Sequence, residues 1–151
     1  MKKIIAIIVA ICLSLLAYNV YSEIEAIKSV VIEINETELN DITFSYISLK
    51  IGIKIVNEGA KEIDDLEGNF TISILNTSIG RIHFGKIDIK PCSSTNSSFY
   101  MFLYYDKIAD SIIEVLKEWK FSISAKGFIK GKIFFGLISY KRNIEIVKKI
   151  D

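Results

Sequence analysis

Ile47-Ser48-Leu49-Lys50-Ile51-Gly52-Ile53-Lys54-Ile55 alternates apolar with polar or small residues without a break. Successive side chains of a β-strand point to opposite faces, so this stretch predicts a strand with one face inward and one in water. Asn57-Glu58-Gly59 ends it with turn chemistry. The same period returns downstream, where Leu66, Gly68, Phe70, Ile72 and Ile74 alternate with Glu67, Asn69, Thr71 and Ser73. Asn76 to Gly80 is expected to turn the chain and Arg81 to Ile89 to run back. A phase slip near Gly85 in that return has the form a β-bulge produces. Upstream, Ser29 to Ile34 reads as a first strand.

Further along, Pro91 to Asn96 reads as a polar loop, and Ser98 to Tyr105 is apolar or aromatic on both faces. Two-sided apolar character predicts a central strand, or one covered by another element. The period then changes. With Asp106 as a plausible N-cap, Ile108, Ile112, Val115, Leu116 and Trp119 recur at helical spacing, predicting one amphipathic helix of about three turns. Phe121, Ile123, Ala125, Gly127, Ile129, Gly131 and Ile133 restore a single strand phase, and glycines on that apolar face imply a bend or a close backbone approach. Gly136 turns the chain into a last strand, Leu137 to Val147. Short strands separated by turns, with one late helix and no βαβ unit, predict an all-β fold. The expected form is an antiparallel β-sandwich of the immunoglobulin or fibronectin-III kind, its helix capping an open end or a sheet edge.

The N-terminus has a different character. Lys2 and Lys3 precede an apolar run from Ile4 to Tyr18 broken only by Ser14, and the first acidic residue is Glu23. This is a secretory signal or a signal-anchor helix. Two readings stand. Val20-x-Ser22 offers residues a signal peptidase reads, which would release a secreted chain beginning near Glu23. Alternatively Tyr18 and Tyr21 sit in the outer headgroup layer, where aromatic rings favour the interface, and the segment is retained. Either way the expected organisation is 1–22 as signal or anchor, 23–40 as a tether carrying a first strand, and 41–151 as the sandwich. Lys2 and Lys3 on the cytoplasmic side would orient all of it outward, to the cell membrane or beyond.

Without that segment 17 of the 19 basic residues remain against 18 acidic ones, a net charge of −1, which argues against a nucleic-acid partner. Cys12 lies in the apolar run, so Cys92 has no intramolecular partner; it is expected to be a buried or idle thiol, with pairing between two chains as the alternative. Asn35, Asn69, Asn76 and Asn96 each open an N-x-[ST] sequon. Half of the chain's asparagines are so placed, which predicts glycosylation at some of them in a host that modifies exported proteins.

Little in the chain points to catalysis, and no catalytic, cofactor-binding or metal-binding residues are assigned. His83 is the single histidine and falls at a solvent-facing strand position between Ile82 and Phe84. Gly127-x-x-x-Gly131-Lys132 is one residue short of a phosphate loop and lies in a strand pattern. Glu62, Asp64, Asp65 and Glu67 form the densest acidic patch, but Leu66 interrupts it and a solvated turn is expected rather than a calcium site. Phe99, Tyr100, Phe102, Tyr104 and Tyr105 suit either a ligand groove or core packing, and core packing is the expectation.

From Thr43 to Lys148 the order of features resembles the late-embryogenesis-abundant type 2 family, also called the water stress and hypersensitive response (WHy) domain. The residues that carry it are the strand Ile47 to Val56 ending at Asn57, the strand Phe70 to Ile74, and Ser78-Ile79-Gly80. Ile87-Asp88-Ile89-Lys90-Pro91 leading into Ser93-Ser94-Thr95, the helix, and Lys126-Gly127-Phe128 complete the match. Where the family carries Asn-Pro-Asn, this chain has Asn57-Glu58-Gly59. The resemblance implies a fibronectin-like sandwich without catalysis, and a protective or binding role in stress. The expected function is therefore a non-enzymatic, extracytoplasmic, membrane-anchored domain, its partner a cell-surface protein or a second copy. The rival is an exported, glycosylated structural subunit that assembles by strand donation, with Glu23 to Asn40 as the donor.

Overall fold

The period-two segments form strands, and the computed structural model describes residues 1–151. In chain order the elements are α1 (Lys2–Lys28), β1 (Val30–Ile42), β2 (Tyr46–Asn57), β3 (Ile63–Ile74), β4 (Thr77–Ile89), β5 (Ser93–Tyr104), α2 (Asp110–Glu118), β6 (Phe121–Ile133) and β7 (Ile138–Ile150). They build two antiparallel sheets, one ordered β1-β2-β5 and the other β4-β3-β6-β7. β1 lies beside β7 and β5 beside β4, so the sheets face each other as a sandwich. A single core fills the space between, with Leu49, Ile51 and Ile55 of β2 meeting Leu66, Ile72 and Ile74 of β3 and Ile123 and Ile129 of β6.

Local chemistry accounts for the strand ends. Ile74 pairs with Thr77 across a two-residue turn in which Leu75 and Asn76 both take positive φ, the form a tight hairpin demands. β4 thus begins earlier than the expected turn to Gly80 allowed. The slip near Gly85 is real: Gly85 and Lys86 together oppose Glu67, with Lys86 at φ 50°. Gly127 is explained by close approach, since a Cβ there would stand 1.9 Å from the Asn69 carbonyl oxygen of β3. Asn57 is buried. Its Nδ2 donates to the carbonyls of Lys61, Ile89 and Lys90 while its Oδ1 accepts from the Gly59 N–H. One asparagine thereby ties the β2–β3 link to the β4–β5 link.

Five expectations need correction. β5 is an edge strand, not a central or covered one; its outward residues Tyr100, Phe102 and Tyr104 are exposed. The helix starts later, with Ala109 as an N-cap that makes no side-chain bond, so Asp106 has no capping role; Ile112 and Leu116 are buried in the core as expected. Trp119 ends the helix in the left-handed region (φ 55°) and sits half-buried, edge-on to Phe121 at 5.3 Å. The polar tether is absent, because α1 runs unbroken to Lys28 and β1 starts at Val30. That strand is integral to the sandwich, paired with β2 from Val30 to Ile42, so the sandwich begins at residue 30 and not at 41. The segment expected to be free for donation is thus occupied in its own fold.

Candidate functional site

The junction between α1 and the sandwich is the most developed feature of the molecule. At 27 residues and 1.5 Å per residue, α1 is about 40 Å long and apolar around its whole circumference from Ile4 to Leu13. Every residue from Met1 to Leu15 is exposed. The helix is long and apolar enough to cross a membrane. Its last turns behave oppositely: Val20 and Ile24 pack on the core, and Ala26 and Ile27 belong to it, each 1% exposed.

Two glycines make room for that docking. A Cβ on Gly131 would lie 2.8 Å from Ile27 Cδ1, and one on Gly59 would lie 2.9 Å from Ala26 Cα. The helix terminus leaves backbone carbonyls without intrahelical partners and carries the negative end of the dipole. Arg142 of β7 answers both needs, its Nη1 donating to the carbonyls of Lys28 at 2.6 Å, Val30 at 2.8 Å and Ile27 at 3.3 Å. On the other side Glu23 Oε2 accepts the Phe134 N–H at 2.7 Å, and Lys61 Nζ donates to Asn19 Oδ1. α1, β6 and β7 are joined as one unit. The sequence did not reveal these partners, although the glycine pair 127/131 pointed to close approach.

The outer face of the three-stranded sheet is the second exposed surface. Tyr46 of β2 meets Phe102 and Tyr104 of β5 edge-on, with ring centroids 5.3 and 5.6 Å apart. Of the five aromatic residues expected in the core, Tyr100, Phe102 and Tyr104 point into solvent; Phe99 packs on the core and Tyr105 donates its hydroxyl to the Thr43 carbonyl. Beside them Lys50 and Glu36 form a 3.0 Å ion pair. The hydrogen bond from Lys50 holds the Glu36 carboxyl below its ordinary range, and the same bond raises Lys50.

The fold brings Asp88 of β4 to Glu62 and Asp64, with carboxylate oxygens within 4.8 Å of one another; all three residues are exposed. Sequence reasoning missed Asp88, which only the β3–β4 pairing places here. Asp64 is pushed up by partial burial first, then by Glu62, Asp88, Asp65 and Glu23. Asp88 has a local structural task, accepting the Asp65 N–H at 2.9 Å where the backbone turns at φ 50°. Asp65 and Glu67 do not join the cluster; Glu67 reaches Lys130 at 3.6 Å instead.

The remaining residues disperse. His83 is exposed on β4, as its position in the pattern implied. Cys12 and Cys92 are both exposed, on α1 and in the β4–β5 link. Gly127 to Lys132 lies inside β6, so no loop is available to hold a phosphate. Among the sequons, Asn76 is exposed at a hairpin tip, Asn35 and Asn96 are exposed and joined side chain to side chain at 3.4 Å, and Asn69 is half-buried in mid-strand. They occupy three separate regions.

No family model matches this sequence, and no curated protein matches it. Among solved structures, that of AT1g01470 from Arabidopsis thaliana, determined in solution, is similar at a TM-score of 0.59, with 13% identity over 79% of each chain. The X-ray structure of Northeast Structural Genomics Consortium target SoR45 is similar at 0.51, with 13% identity over 79% of this chain and 84% of that one. At such identities the likeness is one of fold. The two-sheet β architecture recurs in known proteins.

Proposed function

We propose that this chain is a non-enzymatic, single-pass membrane protein whose sandwich stands outside the cytoplasm and has a binding or stress-protective role there, as a WHy-like domain of the late-embryogenesis-abundant type 2 kind. The observation that carries the reading is the continuity of α1. Its first turns are exposed and apolar, while Ala26 and Ile27 are sandwich core. Val20 and Ser22, the residues a signal peptidase would read, lie within that helix and are themselves half-buried. A retained anchor is therefore favoured over a cleaved signal. Lys2 and Lys3 support an outward orientation.

The finer fold and the role rest on further support. Seven strands divided three and four between two antiparallel sheets fit a fibronectin-III-like or immunoglobulin-like sandwich. Asn57, the retained residue of the family's Asn-Pro-Asn, has the buried bridging position that makes such a motif intelligible. For binding, the exposed aromatic face at the β5 edge supplies rigid apolar area beside free strand backbone. Glycosylation, where the host performs it, suits Asn76 first.

Intact mass and N-terminal sequencing of the protein from its native membrane fraction test the reading. The expected product begins at Met1 or Lys2 and stays with the membrane through a high-salt wash. A mature chain starting at Glu23 in the soluble fraction would refute the anchor.

A further inference from the structure

We infer that the β6–β7 turn is a second membrane contact, its tip seated in the outer leaflet of the bilayer that α1 crosses. The inference rests on α1 being a retained span. Phe134-Phe135-Gly136-Leu137-Ile138 is a run of five uncharged residues, and Phe135, Leu137 and Ile138 are 73%, 74% and 51% exposed. The two other links at this end of the sandwich are different in kind: residues 58–62 include Glu58, Lys61 and Glu62, and residues 90–92 include Lys90. An apolar tip among polar loops, beside the anchor, marks a surface that water does not suit.

Depth gives the argument its footing. About 20 helical residues cross a hydrocarbon layer, and counted from Ile4 that span closes at Glu23, the first acidic residue, with Lys61 bonded to Asn19 one turn inside it as a long lysine side chain can be at a membrane boundary. Glu23 is also the residue whose carboxylate accepts the Phe134 N–H, so the base of the turn stands at the membrane boundary. From there the turn faces the lipid-level part of the helix. Leu13, Leu16, Val20 and Ile24 of α1 line one open apolar groove with Phe134 and Ile138. The groove is continuous with the lipid-facing surface of α1, and acyl chains are the occupant whose chemistry matches both walls.

Phe134 and Phe135 take φ of 54° and 56°, the tight-hairpin form that Leu75 and Asn76 take in the β3–β4 turn. What sets this tip apart is its two aromatic rings, which are favoured at the lipid interface.

The full chain in phosphatidylcholine–phosphatidylglycerol vesicles provides the test, with an environment-sensitive fluorophore on one cysteine at a time. Cys92 is replaced by serine throughout, and Cys12 likewise except where Cys12 itself carries the label. Labels go on Leu137→Cys at the tip, on Phe44→Cys at the far end of the sandwich, and on Cys12. The expected result at position 137 is blue-shifted emission, quenching by lipids spin-labelled near the headgroup, and protection from aqueous iodide. Position 44 should be wet, and Cys12 should be quenched by labels near the bilayer centre. A deep Cys12 with position 137 as iodide-accessible as position 44 overturns the second contact while leaving the anchor intact. Lipid labels that fail to quench Cys12 overturn the anchor and this inference with it. Protection at 137 from iodide without quenching by any lipid label means that protein, a second copy or another helix, covers the tip, and also overturns it.

Discussion

Truncating Ile27 measures whether the last turn of α1 is sandwich core. Its side chain is 1% exposed and reaches Gly131 of β6 and the neighbourhood of Ile63 of β3. Ile27→Ala deletes three carbons worth about 0.8 kcal/mol each in transfer alone, and the cavity left between rigid sheets brings the expected loss to about 3 to 4 kcal/mol. For a chain of this length that lowers the melting temperature by about 10 °C. Gly131→Ala sharpens the test, because its new Cβ would stand 2.8 Å from Ile27 Cδ1 and should cost about 1 kcal/mol by itself. Once Ile27 is alanine, only the milder 3.2 Å approach to Ile63 Cγ2 remains. The double variant should therefore be more stable than the sum of the singles predicts, by about 1 kcal/mol. Urea unfolding in detergent, followed by Trp119 emission, measures all four proteins of the cycle. Additive losses, or an Ile27→Ala midpoint equal to that of the parent, would refute the docking of α1 into the core.

Three further outcomes are expected. Ile51→Asp places a charge at a fully buried position of β2 and should prevent folding, seen as lost near-ultraviolet circular dichroism, because an unpaired buried charge costs several kcal/mol. The Asp64 carboxyl is raised above 3.8, so folding favours its protonated form: its contribution is intact below 3.8 and lost as pH rises through the folded value. Asp64→Asn should consequently melt higher than the parent at neutral pH, with the difference vanishing below pH 3.8; an equal difference at both pH values contradicts the assignment. In a glycosylating host, Asn76→Gln should remove one glycan mass while Asn69→Gln removes none, since Asn76 is exposed at a turn and Asn69 is half-buried in a central strand.

Much of the fold is legible in residue order. The alternation in Ile47 to Ile55 and in Leu66 to Ile74 records strands directly, because side chains of a strand alternate across its faces whatever lies beyond. The bulge at Gly85 and the helix around Ile112 and Leu116 leave the same kind of local imprint in period. Position within a sheet leaves none. Ser98 to Tyr105 is apolar on both sides whether its outer face is covered by protein or left as the exposed row Tyr100, Phe102 and Tyr104, so a pattern that predicts a central or covered strand belongs to one that is an uncovered edge.

The candidate site divides the same way. The charge pattern from Lys2 to Glu23 and the apolar run between them are set by sequence alone, and they suffice to make a helix long and apolar enough to cross a membrane. Val20, Ile24 and Ile27, set among Asn19, Glu23, Glu25 and Lys28, mark an apolar side of the last turns but not what covers it. Only the packed structure decides that Ala26 and Ile27 are buried, that Gly59 and Gly131 admit them, and that Arg142, 115 residues beyond Ile27 in the chain, bonds the carbonyls of Ile27, Lys28 and Val30. The same holds for Asp88 beside Asp64 and for Phe134 beside Glu23. These are contacts between residues whose separation is fixed by strand register and sheet facing. Those quantities arise from the whole chain closing on one core, and no local period contains them.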